Sequence, residues 1–570
     1  MDILVNHVGY DASDAGNARV RALIQAVGDE ELPASAVLRD IRGRRMAEVP
    51  AVGDSIVAGW SGRRFATIEF EVPEGGPYTL TAGTGELEAV SAPFRVGRDI
   101  VARSILSDLL FGIRSYRCDG AVDQADRAVP FYGGRTGSAD VHGGWYDASG
   151  DTSKYLSHLS YSGFMNPQQT PLVVWVLMDA LDRLEASRFP MGERLRLRFR
   201  EEALWGVDFL LRMQDSEGYF YTTVFDGWSR NLDARRICSY RGKEGTMNED
   251  YRAAYRQGGG MAVAALARAS RMSGVDAEKR SLFHDAAFRG WRHLEERNTD
   301  YLENGAENII DDACALMAAA ELCFAGAGEA REAAEARAAS LCGRWSDAEG
   351  FFRADESGSW SWFHASDEAL PVVALMRDLE TGSIGGDLGE RVSAVVRSAL
   401  DAELTRSSAV SNPFLHPRRL VRVPGRTDEI RFFYPHENPS GYWWQGENAR
   451  LASWAAAFRR WDAGNGPRAH RPEDRIFADA QISWILGRNP FDACMLQGHG
   501  RNNPAYDWDH FNVPGGVANG ITSGFADEDD IAFMPSEAMA SGDHSWRWAE
   551  QWIPHAAWLL EAAAWSVPSQ

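Results

Sequence analysis

At 570 residues the chain is too long for one small core, so two domains, one of them large, are expected. Its 45% hydrophobic residues and 20 Trp supply a sizeable core. A formal net charge of −22 repels polyanions, which argues against nucleic acid or acidic polysaccharide as partner and favours neutral or cationic ones.

Up to Val96 the pattern is one of short alternating or β-branched runs (18–26, 35–40, 63–72, 77–83, 91–96) separated by Gly, Pro, Asp and Asn. This predicts a β-sandwich over residues 1–97. From Arg98 the apolar period becomes 3.6, as in 100–116, 170–184, 195–214, 255–272, 279–297 and 309–325. About twelve such segments follow to the end, which predicts a large all-α domain over 98–570. The Ala-rich stretches 312–320 and 451–458 suit crowded inner helices. The connections 119–170, 218–250, 406–443 and 487–545 are far longer than ordinary ones and are the expected sources of a functional site.

No apolar run is long enough for a membrane span, and the VNHVGY segment starts too near Met1 to leave space for a leader. The six cysteines (Cys118, Cys238, Cys314, Cys323, Cys342, Cys494) form no C-x-x-C pairs and read as reduced core thiols. A cytoplasmic location is expected. The run Asp527–Asp530 lacks the alternating spacing of a calcium loop, and Gly258–Gly260 lacks the strand and the G-K-[ST] of a phosphate loop; close helix packing is the better reading of these glycines. No metal and no cofactor are expected.

The most informative stretch is GGWYDASGD, Gly143–Asp151. It sets two carboxylates, Asp147 and Asp151, behind Trp145 and Tyr146. Paired carboxyl groups move protons in glycosidic-bond hydrolysis, and aromatic rings carry the apolar face of a sugar. Tyr132, Trp228, Trp443 and Trp444 lie in or beside the long connections and join Trp145 and Tyr146 as candidate stacking rings. His436 and Glu437, next to Trp443 and Trp444, are candidates for binding sugar hydroxyls.

The segment ADVHGGWYDASGDTSKYLSH resembles the catalytic loop of glycoside hydrolase family 9, whose core is written D-A-G-D. Three further stretches are similar to that family in the same order. They are ILVNHVGYDASD, like the first strand of an immunoglobulin-like module; QISWILGRNPFDACMLQGHG, like the L-G-x-N-P segment; and WRWAEQWIPHAAWLLEAAAW, like the segment carrying the general acid. The resemblance implies an (α/α)6 barrel preceded by an immunoglobulin-like sandwich, and an inverting glycosidase acting on an oligosaccharide. It places the acid at Glu550 and the general base at Asp151, with Asp147 sharing the attacking water. D-A-S-G-D has one residue more than D-A-G-D, so Asp147 remains open as the base. After LGRNP, where endo-acting members carry P-H-x-R, this chain has Asp507, Trp508, Asp509 and His510. That acidic replacement suits a short pocket and a protonated amino sugar. The expected activity is therefore exo-hydrolysis of β-1,4-linked glucosamine oligomers, with a β-1,4-glucanase or cellodextrinase of endoglucanase type as the alternative within the family and a non-catalytic carbohydrate-binding protein as the alternative outside it. Oligomeric state is left open.

Overall fold

The computed structural model describes residues 1–84, 87–158, 165–357, 361–422, 425–438, 443, 446–464, 471–506 and 511–569. The first hundred residues are all β: β1 (Asp2–Leu4), β2 (Gly9–Asp11), β3 (Asn17–Val27), β4 (Ser35–Arg39), β5 (Arg45–Ser55), β6 (Arg63–Pro73), β7 (Gly75–Thr84), β8 (Leu87–Val90) and β9 (Phe94–Gly97). They pair in the order β1-β3-β6-β5-β4-β7-β9-β2, with β8 added to β7; all pairs are antiparallel except β2 with β9. On β3, Val20, Ala22 and Ile24 point into a core with Leu38, Ile68, Leu80 and Phe94, as a period of two requires. Leu23, between them, and Phe65 on β6 instead join the core of the helical part. This strand face is therefore buried on both sides. The run β5 does not stand out in the sequence, because most of it is exposed and it carries Pro50 and Gly53.

Twelve helices of ten residues or more follow among the described residues: α1 (Ile100–Ser115), α2 (Thr170–Glu185), α3 (Glu193–Arg212), α4 (Gly260–Ala269), α5 (Ala277–Arg297), α6 (Ile309–Phe324), α7 (Ala330–Arg344), α8 (Leu370–Glu380), α9 (Gly386–Ser408), α10 (Glu447–Gly464), α11 (Pro472–Ile485) and α12 (Ile553–Ser566). The even-numbered helices pack on one another in succession, and α12 returns to α2, so six helices close a ring. Each odd-numbered helix packs outside an even one, α1 against α12 and α3 against α2. Sequence follows position. The inner helices α2, α4, α6 and α12 are buried on nearly every side, whereas α3 and α5 bury one stripe and expose charged residues on the other. A Cβ at Gly260 would lie 2.8 Å from Cys314, so the glycine lets α4 approach α6 closely.

The C-terminal halves of the inner helices carry a closed belt of charge, buried except at Glu380. Arg268 bridges Asp179 and Glu321 (2.9 Å each), and Arg377 joins Glu321 (2.8 Å) to Glu380 (2.8 Å). Arg460 joins Glu380 (2.7 Å) back to Asp179 (2.8 Å) and reaches Glu561 at 3.5 Å. Every inner helix contributes at least one member.

The two parts are in contact through the VNHVGY segment. His7 is buried, with Nε2 2.9 Å from Asp492 Oδ1. Its ring fills a space at Gly487 and Gly500, where a Cβ would come within 2.5 Å of it. Trp60, in the β6 approach, packs against Phe414, Phe432 and Trp484 at centroid distances of 5.8, 5.2 and 6.0 Å. The acidic run 527–530 also meets the β part, through Ser61 and Asp530, while Glu528 pairs with Arg431 (2.6 Å). All six cysteines are free, and all but Cys323 are buried. No described helix is long and apolar enough to cross a membrane.

Candidate active site

The site forms at the N-terminal ends of α2 and α12, opposite the charge belt. The carboxylate loop is anchored from beneath by ions that the sequence reading missed. Lys154, with no exposed surface, pairs with Asp126 (2.7 Å) and donates to the carbonyls of Val141 and Gly143. Arg235 pairs with Asp126 (2.6 Å) and donates to Thr152 O. Both ends of the loop are thus tied to one buried cluster, in which each charge has an opposite partner. Lys154 and Tyr155 also form a strand of a small antiparallel sheet with Thr223–Phe225, Arg236–Arg241 and Thr246–Asn248, elements too short to show as periodic runs.

Asp147 is almost completely buried. Its Oδ1 accepts from Trp552 Nε1 (2.8 Å) and, with the Gln169 amide turned to satisfy its neighbours, from that side chain at 2.6 Å. Its Oδ2 faces His158 Nδ1 at 3.3 Å. Asp151 accepts from the Ser153 N–H (2.7 Å) and from the Tyr155 hydroxyl (2.8 Å). Burial, followed by the charge of Asp147, raises the Asp151 pKa above the ordinary carboxylate range. Trp228, 40% exposed and with φ of 56°, donates from Nε1 to the Tyr155 hydroxyl (3.2 Å). Asp226 stands alongside, accepting from Thr152 (2.8 Å) and Ser153 (3.3 Å).

Glu550 comes from the far end of the chain, three residues before α12. An antiparallel bridge between Ala148 and Trp552 lays its segment along the carboxylate loop. Burial, then Asp147 and Asp151, hold the Glu550 carboxyl protonated well above its usual range; the Gly150 N–H and Arg230 oppose that shift. Three carboxyl groups from two distant segments therefore sense one another's charge.

The other predicted residues are placed less uniformly. Trp145 is a correction: it is buried to 1%, donates from Nε1 to Glu202 (2.8 Å) and packs on Gly206, so it is core and offers no face to a sugar. Tyr146 is half-buried and its hydroxyl turns to Cys118, away from the carboxylates. Tyr132 is 40% exposed beside the 236–241 strand. His436 stacks on Trp443 with centroids 3.7 Å apart and its Nε2 meets Ser523 Oγ at 2.9 Å; Glu437 is exposed. Trp443 also packs near Phe525 and Trp548, with the Arg547 guanidinium 4.5 Å from its ring. Trp444, Asp507, Trp508, Asp509 and His510 lie outside the described residues. Tyr155, His158, Gln169, Trp552 and Asp226 touch the carboxylates or their partners and were not singled out from sequence. The signal for Tyr155 was present, four residues after Asp151. Among the described residues no cluster of His, Cys, Asp and Glu suited to a metal ion occurs.

A buried carboxyl held protonated beside a pair of hydrogen-bonded carboxylates defines an acid–base hydrolase of the glycosidase type. The profile of glycosyl hydrolase family 9 matches residues 112–511, which include both aspartates and end before Glu550. The chain belongs to glycosyl hydrolase family 9 and is a glycoside hydrolase. Similar solved structures include AaCel9A in complex with cellobiose-like isofagomine (20% identity, 99% of each chain, TM-score 0.65). Others are a Bacteroides ovatus family 9 protein (17%, 99% of each chain, 0.65) and a metagenome-derived family 9 endoglucanase (18%, 99% and 98%, 0.67). At these identities the likeness is one of fold. Among curated proteins no sequence relative matches.

Proposed function

We propose that the protein is an inverting β-1,4-glycosidase, with Glu550 as general acid, Asp151 as general base and Asp147 as the group that shares and orients the water. The observation that carries this is the burial of Glu550 beside the two aspartates: burial and their charge push its pKa up, so that it can donate a proton near neutral pH. The raised pKa of Asp151 suits a base that must accept one. The catalytic part is read as an (α/α)6 barrel of residues 98–570 behind an immunoglobulin-like module of residues 1–97, and the free cysteines accord with a cytoplasmic setting.

The favoured substrate is a short glucosamine oligomer cleaved from one end. Asp147, Asp151 and Asp226 lie near the protonated Glu550, with Arg235 3.5 Å from Asp226, and an ammonium group at the sugar C2 would pair with the aspartate of the Asp147–Asp151 pair that stays ionised. Neutral cello-oligosaccharides are the second reading, supported by the cellobiose-like ligand of AaCel9A and the endoglucanase among the structural relatives.

One set of measurements tests both levels. Chitosan, acetylated chitin and cellulose oligomers are offered, and the first-formed product is followed by NMR. An α-anomer from a β-linked substrate is expected, and the β-anomer first would overturn inversion. Glu550→Gln should lower kcat by about three orders of magnitude or more with little change in KM, and should abolish the alkaline limb of the pH profile, since the loss of rate as pH rises reports ionisation of the acid. Activity within about tenfold of wild type would remove Glu550 from that role. A higher kcat/KM on a cello-oligosaccharide than on the matching glucosamine oligomer replaces the first substrate reading by the second.

A further inference from the structure

Ser149 and Gly150 sit between the two aspartates, and Ser149 is hydrogen-bonded to the Glu550 segment. Its N–H donates to Gln551 O (2.9 Å), and its hydroxyl oxygen accepts from the Gln551 N–H (3.0 Å). The same hydroxyl donates to Asn512 Oδ1 (3.2 Å). Asn512 in turn donates through Nδ2 to Ala549 O (2.8 Å) and Pro504 O (3.0 Å). Ser149 therefore holds Gln551 directly and Ala549 through Asn512, the residues on either side of Glu550.

The far side of the clamp is rigid. Gln551 is 1% exposed; its Oε1 accepts from the Tyr116 hydroxyl (2.5 Å) and the Val513 N–H (2.8 Å), and its Nε2 donates to Val513 O (3.0 Å). A Cβ at Gly516 would lie 2.2 Å from that Oε1, so the amide has no free space. On the near side Gly150 contributes its N–H to the Glu550 carboxyl, and its carbonyl accepts from Arg230 (3.2 Å). Serine and threonine alone combine, at this length, a hydroxyl that accepts from one backbone and donates to a neighbouring amide.

We propose that Ser149 is a positioning residue that sets the separation between Glu550 and the Asp147–Asp151 pair. The inference rests on the acid and base assignment above. Transfer of a proton to the leaving oxygen and activation of water on the opposite face occur in one step, so a shift of about 1 Å between the two segments is costly to the rate and almost silent in binding. The clamp also sets the charge that Glu550 feels: with the two segments further apart, the aspartates raise its pKa less.

The test compares wild type, Ser149→Ala, Ser149→Thr and Glu550→Gln in the full chain, on whichever oligomer wild type cleaves. Ser149→Ala should lower kcat about tenfold or more while KM stays within about threefold, and should move the alkaline limb of the pH profile to lower pH. Ser149→Thr, which keeps donor and acceptor, should recover at least about half of wild-type kcat with the limb in place. Carboxyl C=O infrared titration, with Glu550 identified as the band missing in Glu550→Gln, should show the same downward shift in Ser149→Ala without reference to activity. A Ser149→Ala variant with wild-type kcat and an unmoved limb, or a Ser149→Thr variant as impaired as Ser149→Ala, overturns the proposal. An active Glu550→Gln instead overturns the acid assignment, and the infrared shift then still decides whether Ser149 sets the environment of that carboxyl.

Discussion

A carboxyl group buried without a partner makes the fold depend on pH, and Asp378 in α8 is such a group. It has no exposed surface, and neither of its oxygens has a hydrogen-bond partner among the described residues. Burial, followed by the charge of Glu335, pushes its pKa up to about 7. A folded-state value above the unfolded one means that the native protein binds the extra proton. The stability contribution is complete below the unfolded value and is lost as pH rises from about 4 through 7. Asp378→Asn removes this dependence, because the amide never ionises. It should raise the urea midpoint at pH 8, by a free energy on the order of 4 kcal/mol at most, and leave it nearly unchanged at pH 4.5. Equal midpoints of variant and wild type at pH 8 would show that Asp378 finds a partner in solution. Single residues were legible to different degrees for a related reason. Asp147, Asp151 and Glu550 stand in local patterns that announce a carboxyl in a glycine-bounded turn or before an aromatic helix. Trp145 stands in the same pattern, but its direction is decided by Gly206, which leaves a slot for the indole from a helix sixty residues away. His158 and Trp552 acquire their roles only when the segments meet, and nothing in their immediate neighbours marks them.

At the scale of elements, the helices were readable because an inner helix and an outer helix each have a sequence signature, uniform apolarity or a single stripe. Three of the four strands that support the carboxylate loop, 154–155, 223–225 and 246–248, have two or three residues each, too few for a period, and β5 is too polar to stand out. The N-terminal strands were legible as an all-β region, yet the second destination of Leu23 and Phe65 was not, since alternation tells which residues share a face and not what covers that face. The contacts of His7, Trp60, Leu23 and Phe65 make that covering surface apolar and closely fitted. Removal of residues 1–97 should therefore expose Phe414, Phe432 and Trp484 and give aggregated material in size-exclusion chromatography. A soluble, monodisperse deletion variant with the thermal midpoint of wild type would show that the β part is dispensable to the helical one. His7→Ala is the milder form of the same test. It should lower the midpoint by a few degrees, the equivalent of about 2 kcal/mol or less, and leave kcat unchanged, because His7 lies on the LGRNP side of the interface and touches no carboxylate of the site.

For the whole molecule, the ring of inner helices separates two kinds of charge. At one end the carboxylates are left in excess and their ionisation is held in an unfavourable state, which is what proton transfer needs. At the other end the carboxylates of the belt each meet an arginine: Glu321 is held well below its ordinary range by Arg377, Arg268 and Arg271, against the burial that would raise it. Removing one member of such a belt strands its neighbours, which is more damaging than the loss of a surface pair. The belt closes only through α10 and α12, by Arg460 reaching Asp179 and Glu561, and by Trp565 Nε1 donating to Asp179 at 2.9 Å across 386 positions of sequence. A chain ending at Trp552 would keep Asp147, Asp151 and Glu550 yet lack α12. It should be insoluble or, if recovered, without activity, as a fractionation of expressed material followed by assay would show. This has a consequence for how the molecule comes into being. Synthesis runs from the β part forward, and the charged residues of the belt emerge one inner helix at a time. The first of them, Asp179, waits for the last, so the nascent protein cannot lock its hoop until translation is all but over. Its folding is thereby governed by contacts between the two extremities of the helical part, a slow class of closure, and an interrupted ribosome releases a product that carries Asp147, Asp151 and Glu550 with no means of holding them together.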